Sequence, residues 1–151
     1  MKVSEFLTEE MIIPELKART KEAALEEFSA FLQDKGRIPR SRALADILSA
    51  REALGSTGIG GGIAIPHGKM GGLSQMIIAF GRSGQGIDFD SLDGQPARLF
   101  FLLVAPEDAP GEHLKALARV SRLMKNGRLR DSLLKAGDAK EIKALIAREE
   151  G

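Results

Sequence analysis

His67 is the side chain with the clearest capacity for chemistry. It lies near the end of a glycine-rich stretch at positions 55–69, Gly-Ser-Thr-Gly-Ile-Gly-Gly-Gly-Ile-Ala-Ile-Pro-His-Gly-Lys. The chain has only two histidines, and imidazole changes its charge near neutral pH and can act as a nucleophile. We expect Pro66 to stop strand pairing and to hold Ile65 extended, and Gly68 to leave the approach to the ring open. The pattern predicts a histidine presented to a partner.

The glycine-rich stretch does not fit the two common nucleotide-binding motifs. A Walker A loop has four residues between its first glycine and the Gly-Lys pair, whereas the interval from Gly62 to Gly68 is one residue too long and Met70 replaces the required Ser or Thr. A dinucleotide fingerprint starting at Gly58 would place its third glycine at Ile63, and the stretch precedes a predicted strand rather than a helix. Both nucleotide interpretations are therefore disfavoured.

Composition limits the remaining classes of function. The 151 residues include 43% hydrophobic and 28% charged residues, with a net charge of +1, no Cys, no Trp and no Tyr, which is typical of one globular domain spanning residues 1–151. The balanced charge, and the presence of seven Phe as the only aromatic residues, disfavour nucleic-acid binding. No segment has the apolar length of a signal peptide or a membrane span, so we expect a cytoplasmic protein without membrane insertion.

Periodicity predicts alternating helices and strands. Helices are expected over 21–33, with Thr20 as N-cap and Gly36 as the stop, over 40–54, from about 113 to 124 with Leu114 facing inward, over 128–135 and over 138–148. Strands are expected at 63–65, 76–80, 87–89 and 98–104, the last being the most hydrophobic and therefore central. These elements predict an α/β domain, a mixed sheet flanked by helices on both faces.

Several segments besides the glycine-rich stretch form a recognisable set. They are Arg51-Glu52, the stretch 55–68, Gly86-Ile87-Asp88-Phe89-Asp90, the run 99–106, His113-Leu114, Leu117-Ala118 and Ser121-Arg122. Together they closely resemble the phosphorylation-site signature of enzyme IIA domains, fructose/mannitol class, of the bacterial phosphoenolpyruvate-dependent phosphotransferase system, and among these the nitrogen-regulatory enzyme IIA.

The resemblance implies a phosphoryl carrier that needs no cofactor. His67 would accept a phosphoryl group on Nε2 from an HPr-type phosphocarrier protein, and the other ring nitrogen would donate to an oxygen that fixes the tautomer. In the nitrogen-related branch, the phosphorylation state then regulates partner proteins. In sugar-transport members the phosphoryl group passes to a cysteine of enzyme IIB, and this alternative stays open. Neither role is that of a stand-alone turnover enzyme.

Four residues are candidates for stabilising the phosphoryl group. Arg51 precedes the glycine-rich stretch, where its guanidinium can offer two parallel donors, and the resemblance supports this role. The resemblance also implies a site role for His113, at the start of a predicted helix where N–H groups favour an anion. Ser56 and Thr57 offer hydroxyls and main-chain N–H groups that could form an anion nest. Lys69 is expected to be a charge at the rim of the site.

Other features permit competing interpretations. Ile59, Ile63 and Met70 are expected to form an apolar docking surface that a dianion on His67 would weaken. The pair His67 and His113 suggests a small metallohydrolase, but the chain has neither cysteine ligands nor an H-E-x-x-H motif, so we expect no metal. The three aspartates at 88, 90 and 93 fit a half-exposed strand leading to a turn better than an acid–base cluster.

Overall fold

The computed structural model describes residues 1–151, which form six helices and six strands. The helices are α1 (Val3–Phe6), α2 (Lys21–Asp34), α3 (Ser41–Ala53), α4 (Pro110–Leu123), α5 (Gly127–Lys135) and α6 (Ala139–Glu150). The strands are β1 (Ile12–Ile13), β2 (Gly58–Gly60), β3 (Ile63–Ala64), β4 (His67–Met70), β5 (Ile77–Ile87) and β6 (Ala97–Pro106), and a 3-10 turn, Glu9–Met11, precedes β1.

The six strands form one mixed sheet in the order β1-β5-β6-β3-β2, and β4 also pairs with β6. The β5–β6 and β2–β3 pairs are antiparallel, while β6 runs parallel to both β3 and β4. Strand β6 is buried along nearly its whole length, as expected of a run with so many large apolar side chains. The prediction that this run is the central strand is confirmed.

Helices cover both faces of the sheet, as predicted. A Cβ atom at Gly81 would lie 2.6 Å from Cζ of Phe28, and one at Gly68 would lie 2.6 Å from Cγ2 of Ile47, so these glycines let α2 and α3 approach one face closely. Neighbouring positions of a strand point to opposite faces. His67 therefore points away from the face that Gly68 shares with α3, and its ring meets His113 of α4.

A continuous hydrophobic core joins the two ends of the chain, from Val3 to Ile146. Phe100 packs edge-on against Phe89, and Phe80 packs edge-on against Phe101. Such arrangements stabilise aromatic pairs beyond the area they bury. This packing makes β5 and β6 a rigid base for β4 and for the histidine at its start.

Two predicted helix boundaries are confirmed in detail. The Thr20 hydroxyl accepts a hydrogen bond from the N–H of Ala23 at 3.2 Å, so it caps α2 as expected. At the other end, Gly36 adopts a φ of +70°, a conformation that favours glycine and ends the helix. No helix in the structure combines the length and the apolar character needed to cross a bilayer.

Three local expectations are wrong. Residues 76–80 and 87–89 do not form separate strands, because β5 continues through its glycines to Ile87 with an irregular register after Arg82. Pro66 does not end pairing with β6, because its carbonyl accepts from Leu103 and β4 resumes at His67. The inward face of α4 contains His113 and Ala116, while Leu114 is 66% exposed.

Candidate functional site

The ring of His67 is held in one orientation. Its Nδ1 lies 2.7 Å from the carbonyl oxygen of Ile65, and because a carbonyl only accepts hydrogen bonds, Nδ1 carries the proton. The lone pair is then on Nε2, which accepts from Nε of Arg51 at 3.3 Å. The residue is neither sealed in the core nor fully exposed. The geometry therefore presents a neutral imidazole whose nucleophilic nitrogen is Nε2.

Arg51 links the histidine to the glycine-rich loop. It lies in the last turn of α3, and its Nη1 donates to the carbonyl oxygen of Gly55 at 3.0 Å while its Nε donates to His67. Helix α3 can bring Arg51 this close because Gly68 has no side chain where Ile47 packs. The expectation that Gly68 leaves the approach to the ring open is wrong, since α3 fills that space.

His113 completes the group from the opposite helix layer. It lies in the first turn of α4, and its ring centroid is 5.2 Å from that of His67, with the planes inclined by 55°. The side chain is buried, and its Nδ1 has no hydrogen-bond partner in the protein. A buried polar atom without a partner is costly, so the placement of this imidazole beside His67 is not explained by stability.

The surroundings favour the neutral form of both imidazoles. Burial lowers the pKa of His67 and the Arg51 guanidinium lowers it further, whereas the Ile65 carbonyl and the Glu52 carboxylate act in the opposite direction. Burial also lowers the pKa of His113, and His67, Lys69 and Arg51 lower it further. Neutral imidazole is the form that has a lone pair to offer. Near neutral pH, both rings therefore favour the form that keeps a lone pair.

The predicted hydroxyl donors are engaged elsewhere. The Ser56 hydroxyl donates to the carbonyl oxygen of Phe89 at 2.6 Å and accepts from the N–H of Gly58. Thr57 is buried, and both its hydroxyl and its N–H donate to the Glu52 carboxylate. To donate to an anion on His67, either hydroxyl would have to release these partners.

Two charged residues beside the site, Glu52 and Lys21, were not predicted from the sequence. Glu52 follows Arg51 directly, and its carboxylate forms an ion pair with Lys21 at 2.9 Å. The side chains are 6% and 12% exposed, respectively, so the pair is nearly enclosed. The adjacency of Arg51 and Glu52 at the end of a predicted helix was the only sequence signal for this role, and nothing in the sequence connects Lys21 to them.

The predicted docking surface requires correction. Ile63 and Met70 are buried in the core, so they cannot contact a partner. Ile59 is exposed as expected. Three other large apolar side chains are exposed near the segments that carry the site: Leu54 after α3, Leu92 beside the glycine-rich loop, and Leu114 next to His113.

Other polar groups near the glycine-rich loop have structural partners. Asp93 accepts from the N–H groups of Gly61 and Gln95, and these bonds lower the pKa of its carboxyl.

No group of three or more His, Cys, Asp or Glu residues could hold a metal ion, so the metallohydrolase interpretation lacks a ligand set. A cavity of about 370 Å³ lies between Gly61, Arg98 and Arg130, and His67 is not among its lining residues.

Fold and site together define a class: a layered α/β protein with a mixed sheet, on which one histidine lies beside a guanidinium and a second imidazole. Comparison with known proteins agrees with this fold. Residues 5–149 match the family model of the phosphoenolpyruvate-dependent sugar phosphotransferase system, EIIA 2. The chain belongs to this family.

The chain is similar both to nitrogen regulatory proteins and to sugar-specific EIIA components. A nitrogen regulatory protein of Bradyrhizobium diazoefficiens is 41% identical over 148 residues, covering 97% of this chain and 95% of that protein. A fructose-specific EIIA component of Haloferax volcanii is 37% identical over 138 residues, covering 91% of this chain and 90% of that protein. The crystal structure of nitrogen regulatory protein IIA-Ntr from Neisseria meningitidis superimposes with a TM-score of 0.88 at 35% identity, covering 95% and 98% of the two chains.

Proposed function

We propose that His67 accepts a phosphoryl group on Nε2 from an HPr-type phosphocarrier protein, and that its phosphorylation state regulates partner proteins. The single observation that carries this proposal is the pair of ring contacts of His67. Nδ1 donates to the Ile65 carbonyl, which leaves the lone pair on Nε2 directed at Arg51. An imidazole held in this tautomer needs no proton removal before it attacks phosphorus.

The proposed step exchanges one P–N bond for another. The Nε2 lone pair attacks phosphorus in line, and the bond from phosphorus to the donor's histidine breaks, returning its electron pair to the donor ring. Such transfers depend mainly on positioning and on stabilising charge. Arg51 would shift its Nε donor from the ring nitrogen to a phosphoryl oxygen, and His113 would offer a hydrogen bond from its own ring.

Ser56 and Thr57 would donate hydrogen bonds to the phosphoryl group only as a smaller contribution. Their hydroxyls bond to Phe89 and Glu52 in the structure, so they would assist only after the loop rearranges. Arg51 and His113 need no such rearrangement, because both already contact the ring of His67. We therefore assign the main stabilisation of the phosphoryl group to these two residues.

Regulation would follow from the charge that the phosphoryl group brings. Phosphorylation adds about −1.5 to −2 charges, and the segments that carry the site expose Leu54, Ile59 and Leu114. A partner that buries these side chains would have to desolvate the anion, so its affinity would fall on phosphorylation. The similarity to the nitrogen regulatory protein of Bradyrhizobium diazoefficiens supports this branch.

A second candidate function is transfer of the phosphoryl group to the cysteine of a separate enzyme IIB. The observation that favours it is the similarity to the fructose-specific EIIA component of Haloferax volcanii, which spans 91% of this chain. In this alternative the same His67 donates the group that it accepts. The two functions share their first step and differ only in the fate of the phosphoryl group.

The first step is tested by phosphorylation in a purified system. The protein is incubated with labelled phosphoenolpyruvate, enzyme I and the HPr-type carrier, and an acid-labile, alkali-stable adduct is expected. His67→Ala should abolish the label, whereas His113→Ala should keep it at a lower rate. Label that persists in His67→Ala, or that maps to Ser56, would refute the assignment.

The fate of the phosphoryl group is tested separately. Labelled protein is mixed with a purified enzyme IIB, and transfer to its cysteine would support the sugar-transport branch. Affinity capture with phosphorylated protein and with His67→Ala as the unphosphorylated reference tests the regulatory branch. Partners bound only by the unphosphorylated form support regulation, and identical partners for both forms contradict it.

A further inference from the structure

We infer that Glu52 is a positioning residue, whose buried carboxylate fixes both the last turn of α3 and the glycine-rich loop and so aims Arg51 at His67. This inference rests on the proposed role of Arg51 in phosphoryl transfer. Glu52 makes no hydrogen bond to His67, although its charge raises the pKa of that ring. The positioning effect on transfer would pass through Arg51.

The carboxylate of Glu52 is fully engaged by three donors. Oε1 accepts from the N–H of Thr57 at 3.1 Å and lies 2.9 Å from Nζ of Lys21, while Oε2 accepts from the Thr57 hydroxyl. Placing a charge in a site only 6% exposed is costly unless it is paired and hydrogen-bonded. Side chains satisfied in this way are held in one rotamer, so Glu52 forms a fixed point.

The anchored Glu52 side chain restrains Arg51 both at its backbone and at the acceptor of its guanidinium group. Arg51 and Glu52 are consecutive in the last turn of α3, so an anchored Glu52 side chain sets the rotation of the turn from which Arg51 projects. The carbonyl oxygen that receives Nη1 of Arg51 belongs to Gly55, in the loop that Glu52 holds through Thr57. Loosening Glu52 would therefore disturb the guanidinium at its origin and at its acceptor.

Lys21 connects Glu52 to two further segments, helix α2 and the chain at residue 89. It is the first residue of α2, and its ammonium group lies 4.9 Å from the centre of the Phe89 ring. The carbonyl oxygen of Phe89 accepts the hydroxyl of Ser56 from the same loop. The interactions of Glu52, Lys21 and Ser56 thus join α2, α3, the glycine-rich loop and residue 89 around Arg51.

The test is a double-mutant cycle on the rate of phosphoryl transfer from the phosphorylated carrier. In single-turnover reactions, Glu52→Gln should lower the limiting rate constant by about 10- to 100-fold, because small displacements of a positioned group cost rates of this size. The carrier concentration that gives half of the limiting rate should stay unchanged, since the docking surface is not altered. In an Arg51→Ala background, Glu52→Gln should change the limiting rate constant by less than about twofold, because the group it positions is absent. Asp46→Asn, an exposed carboxylate on the same helix, is the matched control and should behave as wild type.

A role in folding alone would give a different result. The loss caused by Glu52→Gln would then be equal in the presence and absence of Arg51, and this outcome would overturn the inference. Thr57→Val and Lys21→Met provide independent variants should Glu52→Gln unfold, and each should show the same dependence on Arg51. A wild-type limiting rate constant in all three variants would also overturn the inference, while leaving the proposed phosphorylation of His67 intact. Absence of any label on wild-type protein would instead refute the proposed function.

Discussion

The guanidinium of Arg51 and the ring of His67 are joined by a hydrogen bond of 3.3 Å from Nε to Nε2. A cation that donates to a ring nitrogen can do so only while that nitrogen keeps its lone pair. The contact therefore holds His67 in the neutral form and places a positive charge at the atom where a phosphoryl group would be bonded. Attack would consume the lone pair and release Arg51 to bind the new anion.

Replacement of Arg51 should slow phosphoryl transfer without preventing it. Arg51→Ala removes the donor nearest the developing charge, and loss of one such donor costs on the order of 10²- to 10³-fold in rate. Arg51→Lys keeps the charge but not the two parallel donors, so an intermediate loss is expected. Single-turnover transfer from the phosphorylated carrier measures both. Arg42→Ala, exposed on the same helix, is the control, and equal losses for Arg42 and Arg51 would contradict the assignment.

Both histidines should titrate below the ordinary imidazole pKa of about 6.5. Burial and neighbouring cations lower the pKa of each in the folded protein. Below about pH 6.5 the unfolded chain then binds more protons than the folded one, so the free energy of unfolding should fall as the pH is lowered toward the folded-state values. NMR titration of the two rings, with urea unfolding at several pH values, measures both effects. Midpoints above 6.5 for the rings would contradict the electrostatic description.

Replacement of His113 should separate stability from activity. Its Nδ1 is buried without a partner, so His113→Leu, which keeps a similar volume, should raise the free energy of unfolding by about 1 kcal/mol. The same change removes the imidazole beside His67 and should lower the transfer rate. Chemical denaturation and single-turnover kinetics on one preparation give the two quantities. A variant that is less stable but fully active would show that His113 has a structural role only.

Gly68 should be sensitive to a single added methyl group. A Cβ atom there would lie 2.6 Å from Cγ2 of Ile47, so Gly68→Ala should cost about 1–3 kcal/mol by overpacking and displace α3 together with Arg51. The transfer rate should fall with stability. Adding Ile47→Ala removes the clashing methyl group and should restore much of the rate. Failure of this second change to restore any activity would mean that α3 is not the element displaced.

The two ends of the chain should be coupled through Glu150. Its carboxylate is 1% exposed and accepts from the N–H groups of Val3 and Ser4 and from Arg119. Burial alone raises the pKa of Glu150, but the hydrogen bonds from Ser4 and Val3 outweigh it and the pKa is lowered. Glu150→Gln should therefore cost about 2 kcal/mol near neutral pH. The stabilisation should be present above the unfolded-state pKa of about 4.3 and lost as the pH falls through the lower folded-state value.

Thermal and urea unfolding at pH values from neutral to acid measures the contribution of Glu150. Glu149→Gln is the matched control, because the Glu149 side chain is exposed and its carboxylate accepts a hydrogen bond from the Asn126 side chain and none from the main chain of residues 3 and 4. We expect little change from the control at any pH. A Glu150→Gln protein whose stability equals that of wild type at neutral pH would contradict this role.

Local patterns were sufficient for much of the fold. The Thr20 cap, the glycine at position 36 and the run that became β6 each depend on neighbouring residues, so their signals lie within short windows of sequence. At the start of α4, the prediction of the inward residue is wrong. The apolar residues Leu114 and Leu117 suggested a face that includes position 114, whereas packing on the sheet buries His113 instead.

The sequence by itself determined that a histidine follows a short buried strand and a proline, and its motifs pointed to the family that the comparisons establish. Only the tertiary structure decided the tautomer of that histidine, its contacts with Arg51 and His113, and the buried pair of Glu52 and Lys21. These contacts join residues on different helices and strands. They depend on how α2, α3 and α4 pack on one sheet, and no local pattern of residue types contains that information.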